Sequence, residues 1–571
     1  MQRAFILIVS LLALLTVQWW MSGRQHGAVF QGELYDSDSY MRLVRVGKLI
    51  DGGGWYDDRI ARANAPHGHS LHWTRPLDVL LLSGAAVLSP ALGWRDGLHQ
   101  AGVWISPLLH ILTLLALLWA AGPLFKHDEK FQGLVWLGLL FPLQLFLDHQ
   151  FAPGRADHHG LILLLFVCAL GALVRAMKRM PEVWAAVAGL FLGLLLWVSV
   201  EGLLAALMAF TLFGLRWLSQ GRAWARGGLA LSAAMAGVSA LGILAEHRFE
   251  QIFMEIYDQI SIVYLVFLIL IMIAFAAAAR ISLRWLGLLA FAAVPLCQFW
   301  LFPNFFHGPL AGQDPLFQAI IFEYAGETIP LRSPSKLILY LGPAALALPH
   351  GLWQIRWPAQ DIGRWPWVLL TGGLVLYLPF AIMQLRWVPY VSLLALPGYT
   401  AVLVSCLKLL TSNRSFILTF STALARTVVV LGFAFALLLL SRQFPKGLET
   451  QTKCRTDAMA QHLADRFGTP QRILSYMTVA PAILYRSRHD VIATPYFRNA
   501  QGGRDALAFF GAQDPKTAYD IATGRRIDLV LTCPADRESR IYDPRPTLPI
   551  WLRPMELPPH LRQWRLYKVW L

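Results

Sequence analysis

Long apolar segments alternate with short polar loops over most of the chain. Each segment has about 18 to 24 residues, and a helix of that length crosses a hydrocarbon core of roughly 30 Å. Strands of a membrane barrel would give short segments of alternating polarity, so the continuous segments favour helices. The pattern therefore predicts a mainly α fold, a polytopic membrane bundle of about thirteen transmembrane helices. The predicted spans are residues 4–22, 100–122, 131–149, 160–178, 182–199, 202–218, 228–246, 260–279, 285–302, 337–353, 366–384, 388–410 and 425–441.

Lysine and arginine cluster in alternate loops of this bundle, and basic loops remain in the cytoplasm. This rule places the N-terminus inside, and an odd number of helices then places the C-terminal region outside. Residues 77–94 are also apolar, but Gly84 and Pro90 interrupt them. A crossing there would turn the basic loops outward, so we expect a non-crossing or re-entrant segment packed on the first external loop. The expected location is a bacterial inner (cytoplasmic) membrane, with the C-terminal domain in the periplasm.

The chain divides into two predicted domains. Residues 1–442 form the transmembrane domain, with long external loops at 23–99 and 303–336. From residue 443 onward the composition turns polar, and the fragments RILSYM, DVIATPY and RIDLVLT have the pattern of short strands. Residues 443–571 are therefore expected to form a small periplasmic α/β domain.

Composition narrows the set of partners. The formal net charge is +15, yet only 15% of residues are charged and 56% are hydrophobic. Most basic residues lie in the short loops that set membrane topology, so we expect membrane lipids and no nucleic acid as partners. The five cysteines include no CxxC pair, which leaves a zinc site little support. Cys454 and Cys533 both fall in the C-terminal domain and would be able to pair in the periplasm.

The first candidate for chemistry is the acidic pair Asp36 and Asp38, near the end of the first predicted span. Two carboxylates suit a hard divalent cation such as Mg²⁺ or Mn²⁺, and either suits acceptance of a proton from an attacking hydroxyl. The alternative is helix capping, because the DSDS sequence precedes a helical pattern. The two interpretations are compatible, since one aspartate can cap while the other binds metal.

The second candidate is the short loop before the span at 160–178. Asp157 and His159 are candidate metal ligands, and Arg155 is a candidate for holding phosphate oxygens, which arginine binds in a bidentate manner. Capping by Asp157 is the alternative. With His158, the loop holds four charged or imidazole groups between two membrane spans, which is more than capping needs, so a functional site is favoured.

Three further candidates lie on the same predicted side. Asp314 and Glu327 belong to the loop at 303–336, where the alternative is a solvated loop without function. Arg386 is a lone basic residue at the outer end of a span, suited to a lipid-linked phosphate or, alternatively, to lipid headgroups. Glu201 occupies a short turn between two spans, where a purely structural role is equally compatible with the sequence.

Five segments taken in order resemble the catalytic subunit of oligosaccharyltransferases and, more broadly, the GT-C superfamily of polyprenyl-linked-sugar glycosyltransferases. SDSYMRLVR resembles the first-loop aspartate motif, with Asp38 at its key position, and GRADHHG resembles the second acidic motif, with Asp157 at its aspartate. ETIP resembles the glutamate motif of a later external loop, with Glu327 at the glutamate, and LRWVPY resembles the motif whose arginine, here Arg386, contacts the donor phosphate. The remaining segment, WYDDRIARANAPHGHSLHWTRPLD, is second in chain order and resembles the tryptophan- and proline-rich stretch that follows the first motif.

The resemblance implies a membrane glycosyltransferase with a divalent metal, Mg²⁺ or Mn²⁺, and a polyprenyl phosphate or diphosphate sugar donor. The implied residue roles are catalysis by Asp38, Asp36 and Glu327, metal binding by Asp38, Asp157, His159 and Glu327, donor phosphate binding by Arg386 and Arg155, and substrate contacts by His72, Trp73, Arg75, Glu201 and Asp314.

Two departures from the family pattern qualify this expectation. His159 stands where the family usually has an acid, which leans the site toward Mn²⁺. No WWDYG-type segment is found, so a hydroxyl of a glycan, lipid or protein is the expected acceptor rather than an asparagine sequon. The alternatives are a transporter or flippase of lipid-linked glycans, a metal-independent polysaccharide polymerase or ligase, and a non-catalytic envelope scaffold.

Overall fold

The computed structural model describes residues 1–24, 27–178, 180–409, 454–534 and 549–570. The predicted span 425–441 and the predicted domain boundary at residue 442 lie outside the described residues. The described part is predominantly helical, and its strands occur in the first long loop and in the C-terminal domain. The predicted fold class, a mainly α polytopic bundle with a small α/β domain, is confirmed.

The helices before the C-terminal domain are α1 (Gln2–Arg24), α2 (Ser37–Ile50), α3 (Arg75–Leu92), α4 (Trp94–Ala121), α5 (Lys130–Leu140), α6 (Leu145–His149), α7 (His159–Ala176), α8 (Pro181–Val198), α9 (Gly202–Gln220), α10 (Arg222–Glu246), α11 (Ile262–Arg280), α12 (Arg284–Leu301), α13 (Pro315–Tyr324), α14 (Pro334–Arg356), α15 (Trp365–Met383) and α16 (Val388–Leu409). A hairpin in the first long loop pairs β1 (Arg59–Ile60) with β2 (His69–Ser70).

Eleven described helices are long and apolar enough to cross a membrane. Ten of them, α1, α4, α7 to α12, α15 and α16, coincide with predicted spans, and the other is α3. Helix α14 fills the predicted span 337–353 but contains Pro343 and Pro349, and it is not among the eleven. The predicted span 131–149 is broken into α5 and α6, because Pro142 in the intervening turn has no N–H to continue the helical ladder.

Helix α3 folds back on α4 through a turn at Gly93, whose φ of 78° favours glycine. Gly84 of α3 lies against Ala101, in the N-terminal half of α4. The C-terminal half of α4 packs instead on α7, where Trp119 covers Gly171. Helix α3 therefore lies beside the N-terminal part of α4, and α7 lies beside the C-terminal part.

The start of α3 fixes its position against the rest of the bundle. Thr74, its N-cap, donates a hydrogen bond to the carbonyl of Val198 at the C-terminal end of α8 (3.2 Å). From there α3 runs along the first half of α4. Helix α3 is long and apolar enough to cross a membrane, so the non-crossing segment stays a prediction. Gly84 and Pro90 do not interrupt the helix, because Ser89 Oγ donates to the Ala86 carbonyl (3.1 Å) that the proline leaves without its N–H partner.

The C-terminal domain is built on a mixed five-stranded sheet with the order β4-β3-β5-β7-β6. Strand β3 is parallel to β4 and β5, and β7 is antiparallel to both of its neighbours. Three of these strands coincide with the predicted strand fragments. Cys454 and Cys533 are joined by a disulfide, with their Cα atoms 6.5 Å apart. The elements are α17 (Thr456–Arg466), β3 (Arg472–Ser475), α18 (Ala480–Arg486), β4 (Asp490–Val491), α19 (Ala500–Gly511), α20 (Pro515–Arg525), β5 (Leu529–Thr532), β6 (Leu552–Met555) and β7 (Arg565–Val569).

The first long loop joins the bundle to this domain. Ala63 forms a parallel bridge with Val491, so the loop extends the edge of the five-stranded sheet. Tyr40 of α2 donates a hydrogen bond from its hydroxyl to Asp457 of α17 at 2.9 Å. These contacts hold the C-terminal domain over the end of the bundle where α2 begins.

Candidate active site

Asp36 and Asp38 have different roles at the start of α2. Asp36 is the N-cap, and its Oδ1 accepts hydrogen bonds from the backbone N of Ser39 at 2.9 Å and from Ser39 Oγ at 2.6 Å. Such a cap satisfies helical N–H groups that have no partner within the helix. The capping interpretation is thus confirmed for Asp36, and the carboxylate of Asp38 is left for another role.

The side chain of Asp38 meets the C-terminal domain. The hydroxyl of Tyr496 donates a hydrogen bond to Asp38 Oδ1 at 3.0 Å. Burial of Asp38, together with the negative charges of Asp157, Asp36 and Glu327, raises the pKa of Asp38 to about 8. Four carboxylates from three separate loops therefore act on one another here.

The loop between α6 and α7 packs directly on the start of α2. The backbone N of Ala156 donates to Ser39 Oγ at 3.1 Å. The guanidinium of Arg155 lies 3.8 Å from Asp36 Oδ2 and 3.5 Å from Asp157 Oδ2. Burial alone would lower the pKa of Arg155, but the surrounding carboxylates outweigh it and raise this pKa. The arginine thus offsets part of the negative charge of the cluster.

Asp157 occupies the centre of the cluster and is only 1% exposed. His158 Nδ1 lies 2.6 Å from Asp157 Oδ1, and His159 Nε2 lies 3.5 Å from Asp157 Oδ2. Burial opposes ionisation of this carboxyl, but the charges of the two imidazoles and of Arg155 hold the pKa of Asp157 well below its usual range. Asp157 is therefore an anion in a nearly dry position.

His159 connects Asp157 to Glu327. Its Nε2 also lies 3.3 Å from Glu327 Oε2, in the loop between α13 and α14. Burial works against the charged form of Glu327, but His159, Arg386 and Arg155 together lower the pKa of Glu327 below its usual range. The backbone carbonyl of Glu327 accepts a hydrogen bond from the N of Arg386 at 2.9 Å, which ties this loop to the end of α15.

Arg386 is held by a second carboxylate. Its guanidinium forms an ion pair with Glu201, in the turn between α8 and α9. The side chain of Arg386 is 24% exposed, whereas that of Glu201 is 10% exposed. Within the described residues, Arg386 Nε has no hydrogen-bond partner. The structure thus brings Glu201 and Arg386 to the edge of the carboxylate cluster, with an N–H donor left for another acceptor.

Comparison with known proteins finds similarity in structure only. No protein-family model matches the sequence, and no curated protein matches it. The oligosaccharyltransferase AglB from Archaeoglobus fulgidus, in complex with an inhibitory peptide and a dolichol-phosphate, aligns with a TM-score of 0.68 at 12% identity, over 93% of this chain and 69% of that chain. The A. fulgidus oligosaccharyltransferase in complex with Zn and sulfate aligns with a TM-score of 0.67 at 15% identity, over 93% of this chain and 68% of that chain.

A mycobacterial protein shares the architecture as well. The arabinofuranosyltransferase AftD aligns with a TM-score of 0.53 at 13% identity, over 100% of this chain and 42% of that chain. This chain has the GT-C glycosyltransferase fold. The resemblance predicted from the sequence motifs is therefore confirmed at the level of the fold, and identities of this size extend it no further.

His72 and Trp73 lie beside the carboxylate cluster formed by Asp36, Asp38, Asp157 and Glu327. The ring of Trp73 packs edge-on against Tyr496, with centroids 5.1 Å apart, and the guanidinium of Arg42 covers its other side at 4.2 Å. Burial lowers the pKa of His72 to about 3, with a further contribution from the charge of His158. Trp73 therefore contacts the tyrosine that binds Asp38, and His72 lies close enough to His158 for their charges to interact.

The structure does not bring Arg75 and Asp314 into the cluster. Arg75 pairs with the fully buried Asp78 at 3.1 Å, a carboxylate that Arg42 and Arg45 also contact. Asp314 caps α13 by accepting from the backbone N of Phe317 at 2.9 Å, and it pairs with Arg504 of the C-terminal domain. Each thus makes a structural contact, and their described contacts include no member of the cluster.

The donor set of the cluster fits a hard divalent cation. Ligand atoms of Asp157, His158 and His159 lie within 4.8 Å of one another, and Glu327 contacts the last of these. Carboxylate oxygens suit Mg²⁺ and Mn²⁺, and an imidazole among them favours Mn²⁺. Mutual repulsion among buried carboxylates, visible in the raised pKa of Asp38, is the kind of strain that a cation relieves.

The structure adds His158 and Tyr496 to the site. From the sequence, His158 is one of four charged or imidazole groups in its loop, and a structural role is favoured for Tyr496 over a substrate contact. His158 adjoins Asp157 in the GRADHHG motif, so its position was a local signal that pointed to the same cluster. The contact of Tyr496 with Asp38 joins residues 458 positions apart. No periodicity or spacing in the sequence encodes such a contact.

Proposed function

We propose that this protein is a membrane glycosyltransferase. It moves a sugar or oligosaccharide from a polyprenyl phosphate or polyprenyl diphosphate to a hydroxyl group of a glycan, lipid or protein at the periplasmic face. The GT-C fold is the scaffold of the proposal. The observation that carries it is the contact of His159 with both Asp157 and Glu327, next to Asp38, whose pKa is raised to about 8 by burial and by the neighbouring carboxylates.

In the proposed reaction the acceptor oxygen forms a bond to the anomeric carbon while the bond from that carbon to the donor phosphate oxygen breaks. The electron pair of the broken bond leaves with the polyprenyl phosphate. Asp38 accepts the proton of the acceptor hydroxyl, because Asp36 is engaged as the helix cap. A single displacement of this kind inverts the configuration at the anomeric carbon.

Arg386 binds the departing phosphate in this proposal. Its guanidinium is charged at all relevant pH values and matches the geometry of phosphate oxygens. Glu201 orients the side chain through their ion pair, and Arg155 adds positive charge beside Asp157. The two arginines thereby favour donor binding next to a cluster that is otherwise anionic.

Asp38, Asp157, His159 and Glu327 would hold a divalent cation. When bound, such a cation neutralises negative charge that develops on a leaving phosphate. Asp157 would be a dry ligand because it is buried, and the Ala156–Ser39 hydrogen bond ties its loop to the start of α2. Mg²⁺ and Mn²⁺ are the metals we expect.

The membrane setting follows from the nature of the donor. A polyprenyl chain is insoluble in water and would lie between the helices of the bundle, with its phosphate at the cluster. One AglB structure contains a dolichol-phosphate, a polyprenyl-type phosphate lipid, which supports a donor of this class. The basic loops predicted to be cytoplasmic lie at the other end of the spans, so we propose an inner-membrane protein with a periplasmic site and C-terminal domain.

Two other functions compete with this proposal. A flippase for lipid-linked glycans would carry its ionisable groups within the spans, near the midplane. A polymerase or ligase that needs no metal would tolerate chelation. The acidic residues of this chain gather instead in loops at one end of the bundle, in a set that fits a cation.

The test is glycosyl transfer by the purified protein. The protein is incubated with extracted polyprenyl-linked glycans, Mg²⁺ or Mn²⁺ and candidate acceptors, and products are identified by mass spectrometry. We expect a glycosylated acceptor, and we expect both chelation and Asp38→Asn to abolish its formation. An active protein that is indifferent to chelation would support the metal-independent alternative.

The control is a carboxylate outside the cluster. Asp514 is an exposed helix cap of the C-terminal domain that accepts a hydrogen bond from the backbone N of Lys516 and has no described contact with the cluster, so Asp514→Asn should retain transfer. Movement of labelled polyprenyl-linked glycan across proteoliposomes, unaffected by Asp38→Asn, would favour the flippase and overturn the proposal.

A further inference from the structure

A cavity of about 1270 Å³ lies between the bundle and the C-terminal domain. Its walls come from α2, the first long loop, the start of α4 and the end of α18. Five α2 residues line it and recur at helical spacing: Leu43, Val44, Gly47, Lys48 and Ile50. With about 100° per residue they face away from Asp38, so the cavity and the carboxylate cluster lie on opposite sides of α2.

Positive charge dominates this cavity. Its lining includes six basic residues and three acids: Lys48, Arg59, Arg62, Arg95, Arg486, Arg488, Asp51, Asp57 and Asp96. Two of the acids are already engaged, Asp57 by Lys48 at 2.5 Å and Asp51 by Arg95 at 3.1 Å.

Three of the arginines have no carboxylate partner among the described ion pairs. The guanidinium of Arg62 donates to three backbone carbonyls, including that of Leu484 at 2.7 Å. Arg59 donates to the carbonyl of His67, and Arg488 is exposed at the rim. Carbonyls hold Arg59 and Arg62 in position, and Asp490 offsets part of the charge of Arg62. The basic residues of the lining still outnumber its acids by six to three, so an anion entering the cavity meets a net positive field.

The remaining lining suits a carbohydrate. Tyr485 and His99 share a hydrogen bond of 3.0 Å, and their rings are nearly parallel, at 21°, beside the charged groups. Flat ring faces pack against the C–H surfaces of sugars. Leu43 and Leu98 add apolar wall. Anionic groups bound by arginine, next to ring faces and apolar surface, match the surface of an acidic oligosaccharide.

The location beyond the ends of the spans favours a soluble glycan over a lipid. Arg95 and His99 belong to the N-terminal half of α4, which extends past the part of α4 that packs on α7. The other side of the cavity is the C-terminal domain. A lipid headgroup held here would need its acyl chains to reach beyond the bundle end.

We propose that this cavity binds an oligosaccharide that carries phosphate or carboxylate groups. The identification of that glycan as the acceptor rests on the proposed glycosyl transfer, but its binding does not. The helix rise of about 1.5 Å per residue separates Asp38 from Lys48 by roughly 15 Å along α2. The cavity therefore binds a segment of the acceptor several sugars away from the hydroxyl that reacts.

The test is equilibrium binding of defined glycans to the full-length protein in detergent. The probes are hexagalacturonate and a phosphorylated mannohexaose, with uncharged maltohexaose for comparison, all labelled with a fluorophore. Both anionic probes should bind and maltohexaose should not. Arg488→Glu should weaken their binding by about tenfold or more, the range for a hydrogen bond to a charged group.

Arg565→Glu is the matched control, since Arg565 is exposed on β7 and does not line the cavity. It should leave binding unchanged, and all variants should keep the melting temperature of the parent. Equal binding of maltohexaose, no binding of either anionic probe, or the same loss in both arginine variants would overturn the proposal. Dependence on Arg488 seen only with phosphatidylglycerol nanodiscs would identify a lipid headgroup and overturn it too.

The result of the glycan-binding experiment can be separated from the result of the transfer assay. Binding is measured in parallel on Asp38→Asn, which removes the proposed catalytic base but leaves every cavity residue in place. Retained binding in this variant supports a site independent of the carboxylate cluster. Loss of binding there would show that the probes occupy the cluster rather than the cavity, and would contradict the inference.

Discussion

The hydroxyl of Tyr496 donates a hydrogen bond to Asp38 over 3.0 Å, from a residue 458 positions later in the chain. The candidate base therefore lies between the bundle and the C-terminal domain, and each domain supplies part of its environment. Trp73 packs edge-on against the same tyrosine and fixes the orientation of its ring. The C-terminal domain is thus expected to be part of the catalytic unit rather than an appendage.

Tyr496→Phe removes this hydrogen bond while keeping the ring against Trp73. We expect the maximal transfer rate to fall by about tenfold, because a buried hydrogen bond to a charged group is lost. The measurement is steady-state transfer at saturating donor. Tyr519→Phe, a change at an exposed tyrosine of α20, should leave the rate unaltered, and an equal loss in both variants would remove Tyr496 from the site.

The pairing of Arg386 with Glu201 predicts a defect in donor binding. Arg386→Gln alone leaves Glu201 as a buried carboxylate without its partner, which destabilises the fold as well as the site. The double variant Arg386→Gln with Glu201→Gln removes both charges together. We expect its KM for the donor to rise by about tenfold or more, the cost of losing a charge-assisted contact to phosphate.

Glu201→Gln by itself separates positioning from binding. Arg386 keeps its charge in this variant but loses the carboxylate that orients it. We expect a smaller increase in donor KM than in the double variant, with acceptor KM unchanged in both. A donor KM equal to that of the parent in the double variant would exclude Arg386 as the phosphate ligand.

The imidazole of His159 is expected to influence which metal the site prefers. Because imidazole is softer than carboxylate, its replacement in His159→Asp should shift the preference from Mn²⁺ toward Mg²⁺. The measurement is the ratio of initial rates with the two metals after chelation and reconstitution. We expect that ratio to fall by about tenfold relative to the parent if His159 contributes one direct ligand bond.

The disulfide between Cys454 and Cys533 closes a segment with a sequence separation of 79. Without the disulfide the unfolded chain has more conformational entropy. The double variant Cys454→Ser with Cys533→Ser should therefore lose about 2–4 kcal/mol of stability. The measurement is thermal unfolding with and without reductant. Cys297→Ser, at an exposed free cysteine, is the control and should not change the midpoint.

The membrane spans were predictable from the sequence because the run of apolar residues, or a proline within it, decides where a helix forms. Continuous apolar segments specified the spans, and Pro142 explains the one that is broken into α5 and α6. The prediction of an interrupted segment at 77–94 was wrong in detail, because a proline in the last turn of a helix costs a single backbone hydrogen bond. Ser89 compensates that loss with its own hydroxyl, a local exchange that hydropathy does not register.

The candidate site was predictable in membership and less so in arrangement. Asp36 and Asp38 look equivalent in the sequence, and only the hydrogen bonds to Ser39 distinguish the cap from the candidate base. The pairing of Arg386 with Glu201 depends on how α8, α9 and α15 meet. Short-range patterns carry no information about that packing, which is why Arg75 and Asp314 were also selected although their contacts are structural.

The account depends most on a single cation site shared by loops that are distant in sequence. Binding of Mn²⁺ to the detergent-purified, chelator-treated protein, followed by electron paramagnetic resonance, tests it directly in the parent, Asp157→Asn and Glu327→Gln. We expect one bound Mn²⁺ per chain in the parent and a loss of at least tenfold in affinity in either variant, the usual effect of removing a ligand. Undiminished Mn²⁺ binding in both variants, which unfold at the same temperature as the parent, would contradict the account.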